Sequence, residues 1–206
     1  PIGTDLYVGG DFTTVNGLSL NRIAKLNMSA SLSVSAGFQS SSYNQGGSSI
    51  AIGLQSAYTG QGYYSIAIGT QSAAYTQQSN AISLGNQAGY SNQGATSIAI
   101  GYQSGYTGMN ANSIAIGYQS SSTYLGSYSF AVGLQAGSNM NTGNVAIGYQ
   151  AGYACTGTTS VLVGYQTGYN SRGTQNVEIG YQSGYSSITN TQTINIGYQA
   201  AYNGQL

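Results

Sequence analysis

The amino-acid sequence predicts an all-β fold: a parallel β-solenoid, or β-roll, of about ten coils behind a short β cap. Three observations carry this prediction. A motif of the form apolar-small-apolar-Gly recurs every 16 residues or so from Val34 onward. Gly stops every apolar run, and each Gly would cost a helix about 1 kcal/mol. Charged residues make up 3% of the 206, against roughly a quarter in ordinary globular domains, which points to a biased repeat.

The units begin at Val34, Ile50, Ile66, Ile82, Ile98, Ile114, Phe130, Val145, Val161, Val177 and Ile194. The spacing is 16 residues, except 15 after Phe130 and 17 after Val177. Positions one and three are apolar, with Ala36 the exception, and side chains at alternate positions share one face of a strand. These two columns are expected to form the core of each coil. Position two, which includes Ala51, Ala67, Ala99, Ala115, Ala131 and Ala146, is then expected to face outward. A run of Ala on an outer face suggests close packing by a second chain, so this column is the expected subunit interface, lining a threefold axis. The column ends in Leu162, Glu178 and Asn195, so the packing is expected to change near the C-terminal end.

Position four is Gly in every unit, from Gly37 to Gly197, and marks a bend or a close backbone approach. Position six is always Gln. Gln55, Gln71, Gln87, Gln103, Gln119, Gln135, Gln150, Gln166 and Gln182 are read as a structural ladder of amides, as in stacked β-structures. Positions seven and eight are small and suggest a second short strand, while the Gly/Ser/Thr/Asn-rich tail is read as a loop. Tyr recurs at positions five and nine. Tyr102, Tyr118, Tyr149, Tyr165 and Tyr181, with Tyr106, Tyr153, Tyr169 and Tyr185, are the candidate contacts for a ligand or glycan. Packing is the plainer role for such columns, since Tyr buries an apolar body and keeps a polar tip in water. One unit cannot bury its apolar stripe alone, whereas stacked units form a continuous core.

Residues 1–33 stand outside the repeat and are expected to form the cap, with the solenoid over 34–206. Thr4–Thr14 reads as strand and turn, Asn16-Gly17 as a turn, and Asn21–Asn27 as an alternating strand. The run Leu6-Tyr7-Val8-Gly9-Gly10-Asp11-Phe12-Thr13 resembles one unit of a β-propeller repeat. A propeller needs four or more blades, so one copy is better read as a cap. A chain starting at Pro1 is read as processed or as part of a longer polypeptide.

The segments Asn112-Ser113-Ile114-Ala115-Ile116-Gly117, Ser97-Ile98-Ala99-Ile100-Gly101 and Asn144-Val145-Ala146-Ile147-Gly148 resemble the head repeats of trimeric autotransporter adhesins. The Ile-Ala-Ile-Gly-Tyr-Gln runs are also similar to those in fibre proteins of bacteriophages and large viruses. The resemblance spans Val34 to Tyr202 and departs from the adhesin unit in period and in its Gln and Tyr columns. It implies a left-handed roll, a homotrimer, and binding to matrix or host surfaces.

The inventory for catalysis is sparse. There is no His, so neither a His-based triad nor a His metal ligand is available. The acids are Asp5, Asp11 and Glu178; Asp5 and Asp11 could approach each other, but Glu178 lies some nine coils away, so a paired-carboxylate site within one chain is not expected. Glu178 on a threefold axis would meet its own copies, which is costly without water or a cation. Cys155, in the loop tail without a basic partner, is read as an inert thiol. The only basic residues are Arg22, Lys25 and Arg172, too few for nucleic acid. No apolar run approaches the roughly 20 residues of a membrane span.

The expected function is therefore a structural or adhesive fibre module, not an enzyme and without cofactor or metal. It would form a rigid rod on a virion or cell-surface appendage outside the cell. Its partners would be its own copies as a homotrimer or other homo-oligomer, other structural proteins of the assembly, and a host-surface glycan or protein. An ice-binding solenoid is the alternative, though no column is uniformly Thr. A homopolymeric extracellular filament subunit is a further one.

Overall fold

A computed structural model describes residues 5–9, 23–27, 33–188 and 191–204. Strands β1 (Asp5–Gly9) and β2 (Ile23–Asn27) precede the repeat, and β3 (Ser33–Ala36) opens it. Then β4 (Tyr43–Gln45), β5 (Ile50–Ile52), β6 (Thr59–Gln61), β7 (Ile66–Ile68), β8 (Tyr75–Gln77), β9 (Ile82–Leu84), β10 (Ser91–Gln93), β11 (Ile98–Ile100), β12 (Thr107–Met109) and β13 (Ile114–Ile116) follow. The chain continues through β14 (Phe130–Val132), β15 (Val145–Ile147), β16 (Val161–Val163), β17 (Val177–Ile179) and β18 (Ile194–Ile196). Among the described residues there is no helix.

The strands build two sheets on opposite sides of a flattened roll. The long sheet runs β1-β2-β3-β5-β7-β9-β11-β13-β14-β15-β16-β17-β18. From β3 onward every pair in it is parallel, and each unit pairs in register with the next: Ile98 opposite Ile114, Ala99 opposite Ala115, Ile100 opposite Ile116. The one-residue changes in spacing leave this register intact, because Phe130 still pairs with Val145 and Val177 with Ile194. They are absorbed in the connecting turns. The chain is an all-β parallel solenoid of about ten coils.

The second sheet, β4-β6-β8-β10-β12, is also parallel. It lies at positions ten to twelve of the unit, inside the tail that the sequence suggests is loop. Positions seven and eight, the expected second strand, are turn. Their small residues suit that turn, which crosses the narrow edge of the roll. Past β12 the second side continues through single bridges, Met109 to Leu125 and Leu125 to Met140. At the N-terminal end β2 pairs antiparallel with both β1 and β3 and so covers the outer edge of the long sheet. The Asn16-Gly17 turn lies outside the described residues.

Several columns of left-handed backbone shape each coil. The invariant Gln takes φ values such as 51° at Gln103 and Gln119, and the residue two before each long-sheet strand does likewise, as at Asn80, Thr96 and Asn112. The Gly column has a different requirement. Gly117 has φ +129°, and a Cβ there would stand 2.5 Å from the carbonyl oxygen of Gly133 in the next coil. Gly is needed at this corner on both counts.

Candidate functional site

The side chains inside the roll come from position two and from position eleven or twelve. Ala51, Ala67, Ala99, Ala115, Ala131 and Ala146 are all fully buried, and they pack in the two hydrophobic clusters of the interior. The expected Ala-lined subunit interface is therefore corrected: this column is the core of the coil. Positions one and three, the expected core, turn outward and are left partly exposed, with Ile52 at 39% and Ile68 at 37%. The alternation is right and its phase inverted, since a shift of one residue swaps the faces of a strand. The reason is thickness. The two sides of the roll lie so close that Ala is what fits opposite a large side chain from the other sheet.

The facing column supplies that large side chain, at position twelve in the first six units and position eleven from Met140 onward. It reads Gln45, Gln61, Gln77, Gln93, Met109, Leu125, Met140, Cys155, Ser171 and Ser187. Where it is long, position two is Ala or Ser. Where it shrinks to Ser171 and Ser187, position two grows to Leu162 and Glu178. The pairing keeps the interior volume near constant, as close packing demands. This complementarity was readable from the facing column, which sequence reasoning had assigned to a loop. Cys155 belongs to this inner column rather than to a loop, and burial pushes its thiol up to about 12.

Polar atoms inside are mostly satisfied. Gln77 Nε2 donates to the Ile66 carbonyl at 2.9 Å and to Gln93 Oε1 at 3.0 Å, while Ser83 Oγ donates to Gln93 Oε1. The hydroxyls of Ser56, Ser72 and Ser104 donate to the carbonyls of Ala67, Ser83 and Ala115 in the following coil. These bonds tie consecutive coils together beyond the backbone ladder. The exceptions are the hydroxyls of Ser121 and Ser187 and, above all, Glu178. It is fully buried, and neither carboxyl oxygen has a well-formed hydrogen bond. It lies inside its own coil, so it cannot meet its copies on an outer axis.

The outside carries three parallel tracks. The invariant Gln residues form a second, outer ladder at the corner. Each Nε2 donates to the Oε1 one coil earlier, from Gln55 to Gln39 at 2.8 Å through Gln119 to Gln103 at 2.9 Å to Gln199 to Gln182 at 3.0 Å. Gln71, Gln87, Gln103, Gln135, Gln150, Gln166 and Gln182 make the same bond with the same polarity. The ladder offsets the left-handed backbone at each of these residues, a cost of roughly 1–2 kcal/mol apiece.

Tyr rings flank this ladder on both sides. Tyr149, Tyr165, Tyr181 and Tyr198 stack with centroids 4.8, 4.9 and 5.2 Å apart. Tyr153, Tyr169, Tyr185 and Tyr202 stack at 5.0 Å per step. Tyr102 stacks on Tyr118, and Tyr106 on Tyr90. Interplanar angles of 4–18° mean that each ring covers its neighbours' faces. A sugar ring needs a free aromatic face, and within a stack only edges and hydroxyls remain. Free faces occur at the ends, as at Tyr198, which is 74% exposed. Stacking is expected to dominate the energetics. Tyr165→Ala removes two stacked contacts and should cost about 1–3 kcal/mol, at about 0.5–1.5 per pair. Tyr165→Phe keeps both and should be nearly neutral in thermal unfolding.

The third track is the apolar face of the long sheet. Positions one and three form two straight columns of Ile, Val, Leu and Phe running along the roll. Apolar side chains in ladders of this length make one continuous patch, and patches of this kind mark interaction surfaces.

The sequence profile of the YadA head domain repeat matches the chain twice, over residues 61–88 and 110–136. Those segments are similar to adhesin head repeats. They contain β7 to β9 and β13 to β14 with their Gly corners, so the profile captures the coil itself. The coils between and beyond share the same columns and the same register. No curated protein and no solved structure matches the chain. The similarity to YadA head repeats and the stacked β-solenoid agree with each other: both describe a structural repeat module.

Proposed function

We propose that this chain is the stiff shaft of a surface fibre, assembled as a homotrimer through the Ile/Val face of its long sheet. The observation that supports the reading best is that face: two unbroken apolar columns directed away from the chain's own core. Each half-exposed Ile or Val would contribute on the order of 1 kcal/mol when covered, since full burial is worth about 1.5–3 kcal/mol. Repeated over the coils, that sum suits a permanent association. A second copy is the fitting occupant, because a flat ladder with one residue pattern per coil meets its own repeat in register along the whole length. YadA head repeats point the same way, as modules of trimeric adhesins.

The mechanism is mechanical. In-register strands, the outer Gln ladder and the stacked Tyr rings resist bending, and the turns display polar residues outward. The fibre would stand outside the cell, on a cell-surface or virion appendage beside other structural proteins, with a host glycan or protein as its target. The Tyr stacks could contribute through their hydroxyl rows and end rings, including Tyr102, Tyr106, Tyr118 and Tyr181. Sedimentation equilibrium tests the assembly and should return three times the 21.1 kDa chain mass. A stable monomer at micromolar concentration would overturn it. Binding to a glycan array by the trimer, lost with the Tyr198→Ala variant, would assign recognition to the ring ends.

A further inference from the structure

The one buried carboxyl among the described residues has no role in the fibre reading above. Glu178 sits on β17, in the column that elsewhere holds Ala. Its neighbours in the sheet are Leu162 on β16 and Asn195 on β18. Across the interior lie the small residues of the facing column, Ser171 and Ser187. The carboxyl packs directly on the backbone of Gly184, where any Cβ would collide with it, and a Cβ at Gly168 would stand 2.8 Å from Oε2. The space is therefore made by its surroundings: four positions around this group, Gly168, Ser171, Gly184 and Ser187, are Gly or Ser. Neither carboxyl oxygen has a well-formed hydrogen bond, the Ser171 hydroxyl being the polar group beside it, and the buried hydroxyl of Ser187 is also without a partner.

Among the described residues no cation compensates it. Cys155 senses its charge and is itself held neutral by burial. Arg172 follows Ser171 but is exposed. Tyr169 and Tyr185 belong to an outer stack. Neither β16 nor β18 carries a titratable residue. An ionised carboxylate cannot remain in such a place at low cost, whereas a protonated one needs only modest hydrogen bonding.

We propose that Glu178 is a proton-binding latch: its neutral acid closes the C-terminal coils, 161–204, and its ionisation loosens them while the rest of the rod stays intact. Burial raises its pKa to about 8, with the Ser171 hydroxyl pulling it partly back. The sign follows from proton counts. Between the ordinary carboxyl value of 4.5 and about 8, the folded coil holds a proton that the open coil releases. Closure of these coils is therefore strongest below that window and weakens as pH rises through it, by up to about tenfold per pH unit. Above the window the loss is complete and level.

Glu178 is the only Glu in the chain, which makes the test direct. In protein labelled with ¹³C-glutamate, one carboxyl resonance should titrate well above the ordinary range, near pH 8. Titration between pH 4 and 5 would overturn the proposal. Hydrogen exchange, corrected for its intrinsic pH dependence, should show residues 161–204 opening progressively from about pH 5 to 8 in the natural protein, with residues 50–120 unchanged. Glu178→Gln should abolish that pH dependence. Equal pH dependence in the two proteins would overturn the latch. If Glu178→Gln fails to fold, the resonance alone decides. Repeating the titration with calcium addresses the other neutralising partner, and a midpoint drawn down to the ordinary range would show a cation site instead.

Discussion

Gly117→Ala is expected to be among the most damaging single substitutions in the rod, at about 3–5 kcal/mol. Two costs add. The backbone φ of +129° is a region that L-residues avoid, at roughly 1–3 kcal/mol. The new methyl would also stand 2.5 Å from the Gly133 carbonyl oxygen and 2.9 Å from its carbon. Those are backbone atoms locked in the ladder, so relief would require adjacent coils to separate. Overpacking of this kind typically costs a further 1–3 kcal/mol. Gly60→Ala is the control. Gly60 also has a positive φ, +69°, but its Cβ would meet only Thr76 at 3.8 Å. Its cost should stay near 1–2 kcal/mol. Thermal unfolding followed by circular dichroism compares the two. Equal losses would mean that coil-to-coil contact at the Gly corner does not limit stability.

That Gly corner illustrates how much of the fold was legible in the chain. The period, the parallel stacking and the in-register columns follow from spacing alone, because each coil repeats the last. The need for Gly at position four was legible too, and the structure adds its cause, the carbonyl of the next coil. The facing of the strands was not. Ile-Ala-Ile alternates equally well either way up, and a preference for burying Ile misleads when the interior is too thin to hold it. What decides is the residue opposite, and that lies nine or ten residues further on, in a stretch of Gly, Ser and Asn. Its inner column changes from Gln to Met, Leu and Cys and then to Ser, so no single residue type advertises it. The exchange of Ala146 and Cys155 for Leu162 and Ser171 becomes intelligible only when both columns are read together. The candidate ligand face shows the reverse pattern. The Tyr columns were plain in the sequence, but whether their rings turn faces or edges outward depends on rotamers that the spacing does not encode.

The phase of the strands gives the second large effect, and neighbouring residues separate its two sides. Ala115→Asp should abolish closure of its coil. The side chain is fully buried in the hydrophobic cluster that contains Leu125, so the substitution adds volume and an unpaired charge together. Leaving a buried charge without a partner costs about 3–5 kcal/mol. Ile116→Asp, one residue on, places the same charge on the outer face. Within a single chain its cost should be below about 1 kcal/mol, because water reaches that face. In the assembled fibre it would lie between copies and should shift the sedimenting species from trimer toward monomer. Protein concentration distinguishes the two mechanisms. A defect at an interface eases as concentration rises, by mass action, and a defect inside the coil does not. Sedimentation at rising concentration should therefore recover trimer in the Ile116→Asp variant, while the coil defect of Ala115→Asp, followed by hydrogen exchange, persists at every concentration. The opposite pattern would return the Ala column to the interface and the Ile columns to the core.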